Sequence, residues 1–505
     1  MIGLPALKVT LPVLFLLLTL HGAKGAPIRI FPEGTPGLEG RVKEALEMFQ
    51  RGDFSEAIER FNAEADRGDK QAQFALGRIY AEGSGVAVSL PKAEEYYRKA
   101  AAGGQIEAQT DLAILLLKSQ RAEEAIDWLR KAARSNVPRA MVLLGNLSLT
   151  GTGMSKNPAD AKLWLEKAAA AGEAEAMESL SLMHENGEGF EKNSAKALAL
   201  LEQAAAKKSV KALLRLAVIN LEGRGTAKDT KKALDYFNRA SDLGSVEAWT
   251  ALGSLHETGQ GVGKNLPQAV IWYNKAAEAG DPNAALKLGV LYSQGGEGIV
   301  QDDKKAIECF ERSAGRGQVV AMYNLGTYYE KGRGVTADPD NSLKWHLKSA
   351  TGGLGLAQRE IGLRYREGRG LPKDSVAAIS WLGRAASSGD ALGALALADM
   401  LLTGEGGMPP DPKNAMAILT RASELGLPAA QVKLAEVYAS GADGRADLIR
   451  AYALTMAAGK DFEPAVKLQA SLEKKMSPEQ LSEAQKEFQR LKAKPSTPAK
   501  PAKAE

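Results

Sequence analysis

The chain has 505 residues, of which 6% are aromatic, 52 are glycine and one, Cys309, is cysteine. A lone cysteine excludes an internal disulfide, and few aromatics with much Gly and Ala suit many small helix contacts better than one large aromatic core. The formal charge of +4 comes from lysines near the two ends, Lys8, Lys24, Lys492, Lys494, Lys500 and Lys503; the body between them is close to neutral, which argues against a dedicated nucleic-acid protein with its basic face.

Residues 1–25 read as a secretory signal peptide. Lys8 precedes an apolar run from Val9 to Leu20, and Ala23-Lys24-Gly25 supplies small residues near a cleavage point. The run spans 12 residues, against roughly 20 needed to cross a bilayer. The expectation is an exported protein, periplasmic or extracellular, with no transmembrane segment after cleavage; an uncleaved anchor is the alternative. Residues 26–40 read as a linker.

From residue 41 to 462 a single unit recurs. Its anchor is a small residue at Ala45, Gly77, Ala113, Gly145, Ser181, Ala217, Gly253, Gly289, Gly326, Gly362, Ala398 and Ala435, spaced by 36 or 37 residues apart from two steps of 32. Each unit carries two amphipathic helical stretches with apolar residues three and four apart. The second stretch opens at a small residue such as Ala269, Ala306 or Ser342. Four positions earlier stands a capping residue: Asp53, Ser89, Asn157, Asn193, Asp229, Asn265, Asp302, Asp338, Asp374, Asp411 or Asp447, with Arg121 the exception. Eleven positions after the small residue a glycine recurs, from Gly68 to Gly426, with Asn136 once, as a helix end in the left-handed conformation requires.

A Gly-x-Gly pair lies between the two stretches in eight units, as Gly83/Gly85, Gly259/Gly261 or Gly404/Gly406. This answers the one stretch that suggests a nucleotide site, Gly259 to Asn265, "GQGVGKN". A phosphate loop would need glycine where Thr258 stands and Ser or Thr where Asn265 stands. A loop present once per repeat is a structural turn, and Asn265 is a helix cap. No cofactor is expected.

The long units, A-x-A-x-x-x-L-G-x-x-Y-x-x-G-x-G-V followed by D-x-x-x-A-x-x-W-x-x-K-A-A-x-x-G, resemble the Sel-one-like repeat (SLR) family. Two compact units, around 45–68 and 113–136, lack the glycine turn and look like plain tetratricopeptide hairpins. The resemblance implies an all-α, right-handed superhelical solenoid of about twelve antiparallel helix hairpins. It also implies a non-enzymatic scaffold or adaptor.

The chemistry-bearing residues fit the repeat. Cys309 falls in a column of the second stretch occupied elsewhere by Tyr96, Trp128, Trp164, Tyr236, Trp272, Trp345 and Trp381, so it reads as a buried small hydrophobe. His184 and His256 replace a packing tyrosine and His346 follows Trp345; none has metal-ligand spacing. Some cysteine-rich SLR proteins are linked to penicillin binding or hydrolysis, which makes a cell-wall or β-lactam hydrolase the alternative reading. This chain has no cysteine pairs. Ser89-Leu-Pro-Lys92 matches the Ser-x-x-Lys spacing, but Ser89 stands in the capping column and neither Ser-Asp-Asn nor Lys-Thr-Gly follows.

Recognition is left to a surface. Counting from the anchor, positions −6, −3, +1 and +4 oppose the shared packing arc on a 100° wheel, and in tetratricopeptide-like superhelices that side of the first helix lines the concave face. In the later units these positions hold Leu286, Val290, Tyr323, Thr327, Glu330, Arg359, Leu363 and Arg366. They are the predicted binding residues, for a protein or peptide partner or an envelope polysaccharide. Residues 463–493 read as capping helices, with Ser477-Pro478-Glu-Gln opening the last. Residues 494–505, rich in Pro, Ala and Lys, read as a disordered tail.

Overall fold

The computed structural model describes residues 30–31, 40–442, 444 and 446–493. The signal-peptide and tail readings, 1–25 and 494–505, lie outside the described residues, as does most of the stretch read as a linker. The chain is all-helical, with twenty-six helices and no strand among the described residues.

Two compact units divide the chain, Met1–Ser245 and Val246–Glu505. In the first, the hairpins are α1 (Gly40–Arg51) with α2 (Phe54–Asp66), α3 (Lys70–Glu82) with α4 (Leu90–Ala102), and α5 (Ile106–Lys118) with α6 (Ala122–Arg134). They continue as α7 (Pro138–Thr150) with α8 (Pro158–Ala170), α9 (Ala174–Asn186) with α10 (Ser194–Ala206), and α11 (Val210–Glu222) with α12 (Thr230–Asp242). In the second unit α13 (Val246–Thr258) pairs with α14 (Leu266–Glu278), α15 (Pro282–Gln294) with α16 (Asp303–Ala314), and α17 (Val319–Lys331) with α18 (Pro339–Thr351). Then come α19 (Gly355–Glu367) with α20 (Ser375–Ser387), α21 (Ala391–Thr403) with α22 (Pro412–Glu424), and α23 (Pro428–Ser440) with α24 (Leu448–Ala458). Two single helices follow, α25 (Glu463–Glu473) and α26 (Pro478–Ala493).

The anchor residue is small because the second helix of the same hairpin leans on it. A β-carbon at Gly253 would stand 2.6 Å from Tyr273, and one at Gly289 would stand 2.4 Å from Phe310. Backbone meets ring there, and both rings are fully buried; sealing a side chain of that size stabilises by about 1.5–3 kcal/mol. The second glycine of the loop joins one hairpin to the one before. At Gly334, φ is +68° and a β-carbon would fall 2.8 Å from the backbone of Asp303, the first residue of α16. The same loop position presses on Phe54 from Gly85 and on Ser375 from Gly406.

Nine of the capping residues accept from the first turn, as Asn265 does from the Gln268 N–H at 3.0 Å. Asp53 and Ser89 depart from the expectation, since neither side chain makes a capping bond. Asp53 is the second residue of the tight two-residue turn of a compact hairpin, at φ −78° and ψ 56°, away from the extended backbone of the Asn and Asp caps that accept. Ser89 has that extended backbone, but its hydroxyl makes no bond to the first turn. The helix ends are left-handed as expected, including Asn136 at φ +60°.

Packing is local along the chain. Substantial helix contacts join neighbours and helices two apart, such as α7 with α9 and α19 with α21. At the end of the second unit Leu472 of α25 and Ala484 of α26 join the buried cluster of Tyr452 and Leu454. Ser477 and Gln480 exchange side-chain to backbone bonds at 2.9 and 3.3 Å, a reciprocal cap that starts α26.

Candidate recognition face

The eight predicted binding residues lie on three successive first helices of the second unit: Leu286 and Val290 on α15, Tyr323, Thr327 and Glu330 on α17, and Arg359, Leu363 and Arg366 on α19. Glu330 is exposed and the other seven are half-buried. Leu286 and Val290 rest on the cluster of Phe310 and Tyr328, Tyr323 on that of Ala350 and Ile361, and Leu363 on that of Leu382 and Leu397. Each therefore presents one apolar side to the core and another to the face. The Thr327 hydroxyl donates to the Tyr323 carbonyl at 3.2 Å.

The charged members are engaged with the next repeat. Arg359 pairs with Asp390 at 3.3 Å, Arg366 with Glu405 at 2.8 Å, and Glu330 accepts from Arg364 at 2.7 Å. Glu257 with Lys287 at 3.2 Å and Asp399 with Lys433 at 3.4 Å extend the pattern to the neighbouring first helices. Each arginine of the predicted set thus has a carboxylate partner, so the face offers half-exposed apolar groups among compensated charges.

A buried polar knot behind this face was missed. Arg364 is buried and donates to both Glu330 and Glu360, the latter at 2.8 Å, and Arg369 donates to Glu360 at 3.1 Å. Beside it His346 is 1% exposed, with Tyr323 edge-on at 5.0 Å and the Glu330 carboxylate 3.8 Å from its Nε2. Neither imidazole nitrogen has a hydrogen-bond partner among the described residues. Burial, reinforced by the Arg364 guanidinium, holds the ring below its ordinary pKa. Two sequence signals point here: His346 stands where Leu165, Tyr273 and Phe310 stand in other units, and Arg364 where they place Leu147, Leu255 and Leu291.

A family profile for the Sel1 repeat matches eleven stretches, from 70–105 through 428–455, including the compact unit at 106–137. The chain belongs to the Sel1 repeat family. The first hairpin, α1 with α2, lies outside the matched residues.

Among solved structures, the chain is similar to a protective antigen of uropathogenic Escherichia coli strains displaying an SLR fold. Identity is 26% and the TM-score 0.51, with 86% of this chain and 94% of that one covered. It is also similar to a Sel1 repeat protein of Oxalobacter formigenes, at 26% identity and a TM-score of 0.50, covering 76% of this chain and 99% of that one. An uncharacterized protein of Neisseria meningitidis serogroup B is 34% identical over 105 residues, which span 21% of this chain and 22% of that relative.

Within the Sel1 repeats the other chemistry-bearing residues occupy structural places. Cys309 is buried beside Tyr273 and Leu288, and burial pushes its thiol up to about 11. The aromatic column it interrupts is half-buried, with a cation three residues on covering each ring, as Lys131 covers Trp128 at 4.0 Å and Lys348 covers Trp345 at 4.3 Å. His184 stacks on Phe190 at 3.9 Å. The Lys92 ammonium lies 5.0 Å over the Tyr80 ring, where it serves packing. Among the described residues no three His, Cys, Asp or Glu side chains gather to hold a metal ion, and no helix is long and apolar enough to cross a membrane.

Proposed function

We propose that this Sel1 repeat protein is an exported, non-enzymatic scaffold that binds a protein or peptide partner on the faces of its first helices, in the periplasm or outside the cell. The observation that carries the reading is the row Leu286, Val290, Tyr323 and Leu363. Identical packing positions surround these side chains in every repeat, yet they differ from copy to copy and stay half-exposed. Such rigid apolar and aromatic groups, held between charges already paired, are what a protein contact uses as anchors. Export rests on the sequence alone, on Lys8 and the apolar run to Leu20.

The test is site-specific photocrosslinking in the native host, with a photoreactive residue at Tyr323, at Leu363 or at Ile271 on α14, which is 57% exposed. Partner adducts should form from the first two positions and not from Ile271, and the same fractionation should place the protein outside the cytoplasm. Adducts from Ile271 alone would move recognition to the second helices.

A further inference from the structure

In the stretch read as a linker, Ile30 and Phe31 are 1% and 6% exposed, as buried as core residues. They reach past the first hairpin in the chain to α3. The Phe31 ring packs on Phe74 at 5.7 Å, and Arg78 Nη1 donates to the Ile30 carbonyl at 3.0 Å. Phe74 stands three residues before the anchor Gly77 and Arg78 one after it. These are the positions that Tyr323 and Thr327 hold around Gly326, and Arg359 and Leu363 around Gly362. A segment of the chain is therefore seated on the repeat positions assigned to recognition.

The receiving surface is built for this. Phe74 is braced from behind by Tyr97 at 6.1 Å, and the Arg78 guanidinium lies 5.5 Å over its ring. Arg78 is aimed by Asp111 of α5 at 3.2 Å, which Arg139 of α7 approaches at 3.7 Å. An aromatic floor thus receives a side chain while an oriented guanidinium reads a main-chain carbonyl. That pairing recognises a short segment by an aromatic side chain and the main-chain carbonyl of the residue before it.

We propose that Phe74, Arg78 and Asp111 form a peptide-binding site whose resident is the Ile30–Phe31 segment, and that it accepts in trans a short peptide carrying an apolar residue followed by an aromatic. The inference rests on the reading that first-helix faces bind peptides, and adds a location, a ligand class and an intramolecular competitor. A tethered resident at an effective concentration of about a millimolar lowers the apparent affinity of an outside peptide by the fraction of time it leaves the site open, about tenfold for a ligand of modest affinity.

The test uses the full chain and a fluorescein-labelled synthetic peptide with the sequence of residues 27–34, PIRIFPEG, read by fluorescence anisotropy. The I30S/F31S variant should bind the peptide saturably, and about tenfold more tightly than the native chain. Adding Arg78→Ala should weaken that binding about tenfold, and a peptide with Ser in place of its Phe should not bind. Phe31→Leu, which keeps the segment apolar, should give an intermediate affinity and serves if the double variant is unstable. Equal binding by native chain and variants, or none by a variant whose circular dichroism is native, would overturn the site. Loss of this binding together with retained crosslinks at Tyr323 would sink this inference alone; binding here without those crosslinks would sink the assignment of the second unit's face.

Discussion

The imidazole of His346 stands across Gly326, with three ring atoms each 2.8 Å from where a β-carbon would be. The ring is thus pressed on bare helix backbone, as Leu382 is on Gly362. Alanine at Gly326 gains up to about 1 kcal/mol of helix propensity but must displace a fully buried ring, at about 1–3 kcal/mol. Gly326→Ala is expected to destabilise. His346→Leu is expected to stabilise by about 1–2 kcal/mol, because it removes a buried imidazole without hydrogen bonds and installs a side chain the hairpin already accepts elsewhere. Urea unfolding of the two variants checks both signs.

The same ring makes stability depend on pH. Its folded pKa lies below the ordinary 6.5, so the unfolded chain takes up the proton first as pH falls. The contribution is fully present above about 6.5 and is lost as pH falls from there through the folded pKa. Glu330 and Glu360 favour the charged ring, but burial and Arg364 prevail. Between pH 7 and pH 5 the native chain should therefore lose more stability than His346→Leu, and parallel profiles would show that His346 is not the source. The difference between the two proteins cancels His184 and His256, which burial also holds low.

Much of this architecture was legible because repetition separates what packing demands from what it tolerates. The anchor column and the capping column recur in phase, so the hairpins and their turns follow from one copy read against another. The candidate face was legible by position, since Tyr323 and Arg359 sit opposite the shared arc. Their partners were not, because Asp390 and Glu405 belong to the following repeat and meet Arg359 and Arg366 only through side-chain reach. The surroundings of His346 were hidden for the same reason, as Glu330 and Arg364 come to it from two other helices. Ile30 and Phe31 carry no periodic signal, and their contacts lie more than forty residues along the chain.

Capping distinguishes Ser89 from its counterparts. Asn265 accepts from the Gln268 N–H, and its replacement by Ala should cost about 1 kcal/mol. Ser89 makes no such bond, so Ser89→Ala should stay within about 0.5 kcal/mol. Thermal melts of the two variants should separate accordingly. Neither the native chain nor Ser89→Ala should turn over a chromogenic β-lactam; turnover abolished by Ser89→Ala would restore the hydrolase reading.

Locality of packing sets how the chain responds to truncation. Since the substantial helix contacts within each unit run between helices one or two apart along the chain, stability accumulates hairpin by hairpin. A chain ending at Gly280, after α14, is expected to remain folded, with a helical circular dichroism signal reduced in proportion to the residues removed. A random-coil spectrum would show that the units depend on one another beyond their neighbours. Removing residues 463–505 should act differently. It takes away α25 and α26 and bares Tyr452 and Leu454, which are 7% and 5% exposed beneath them, so that chain should keep its helical signal per residue and yet self-associate. Sedimentation velocity would register the exposed end as a concentration-dependent rise in mass, and a strictly monomeric product would show that α25 and α26 cover nothing that needs covering.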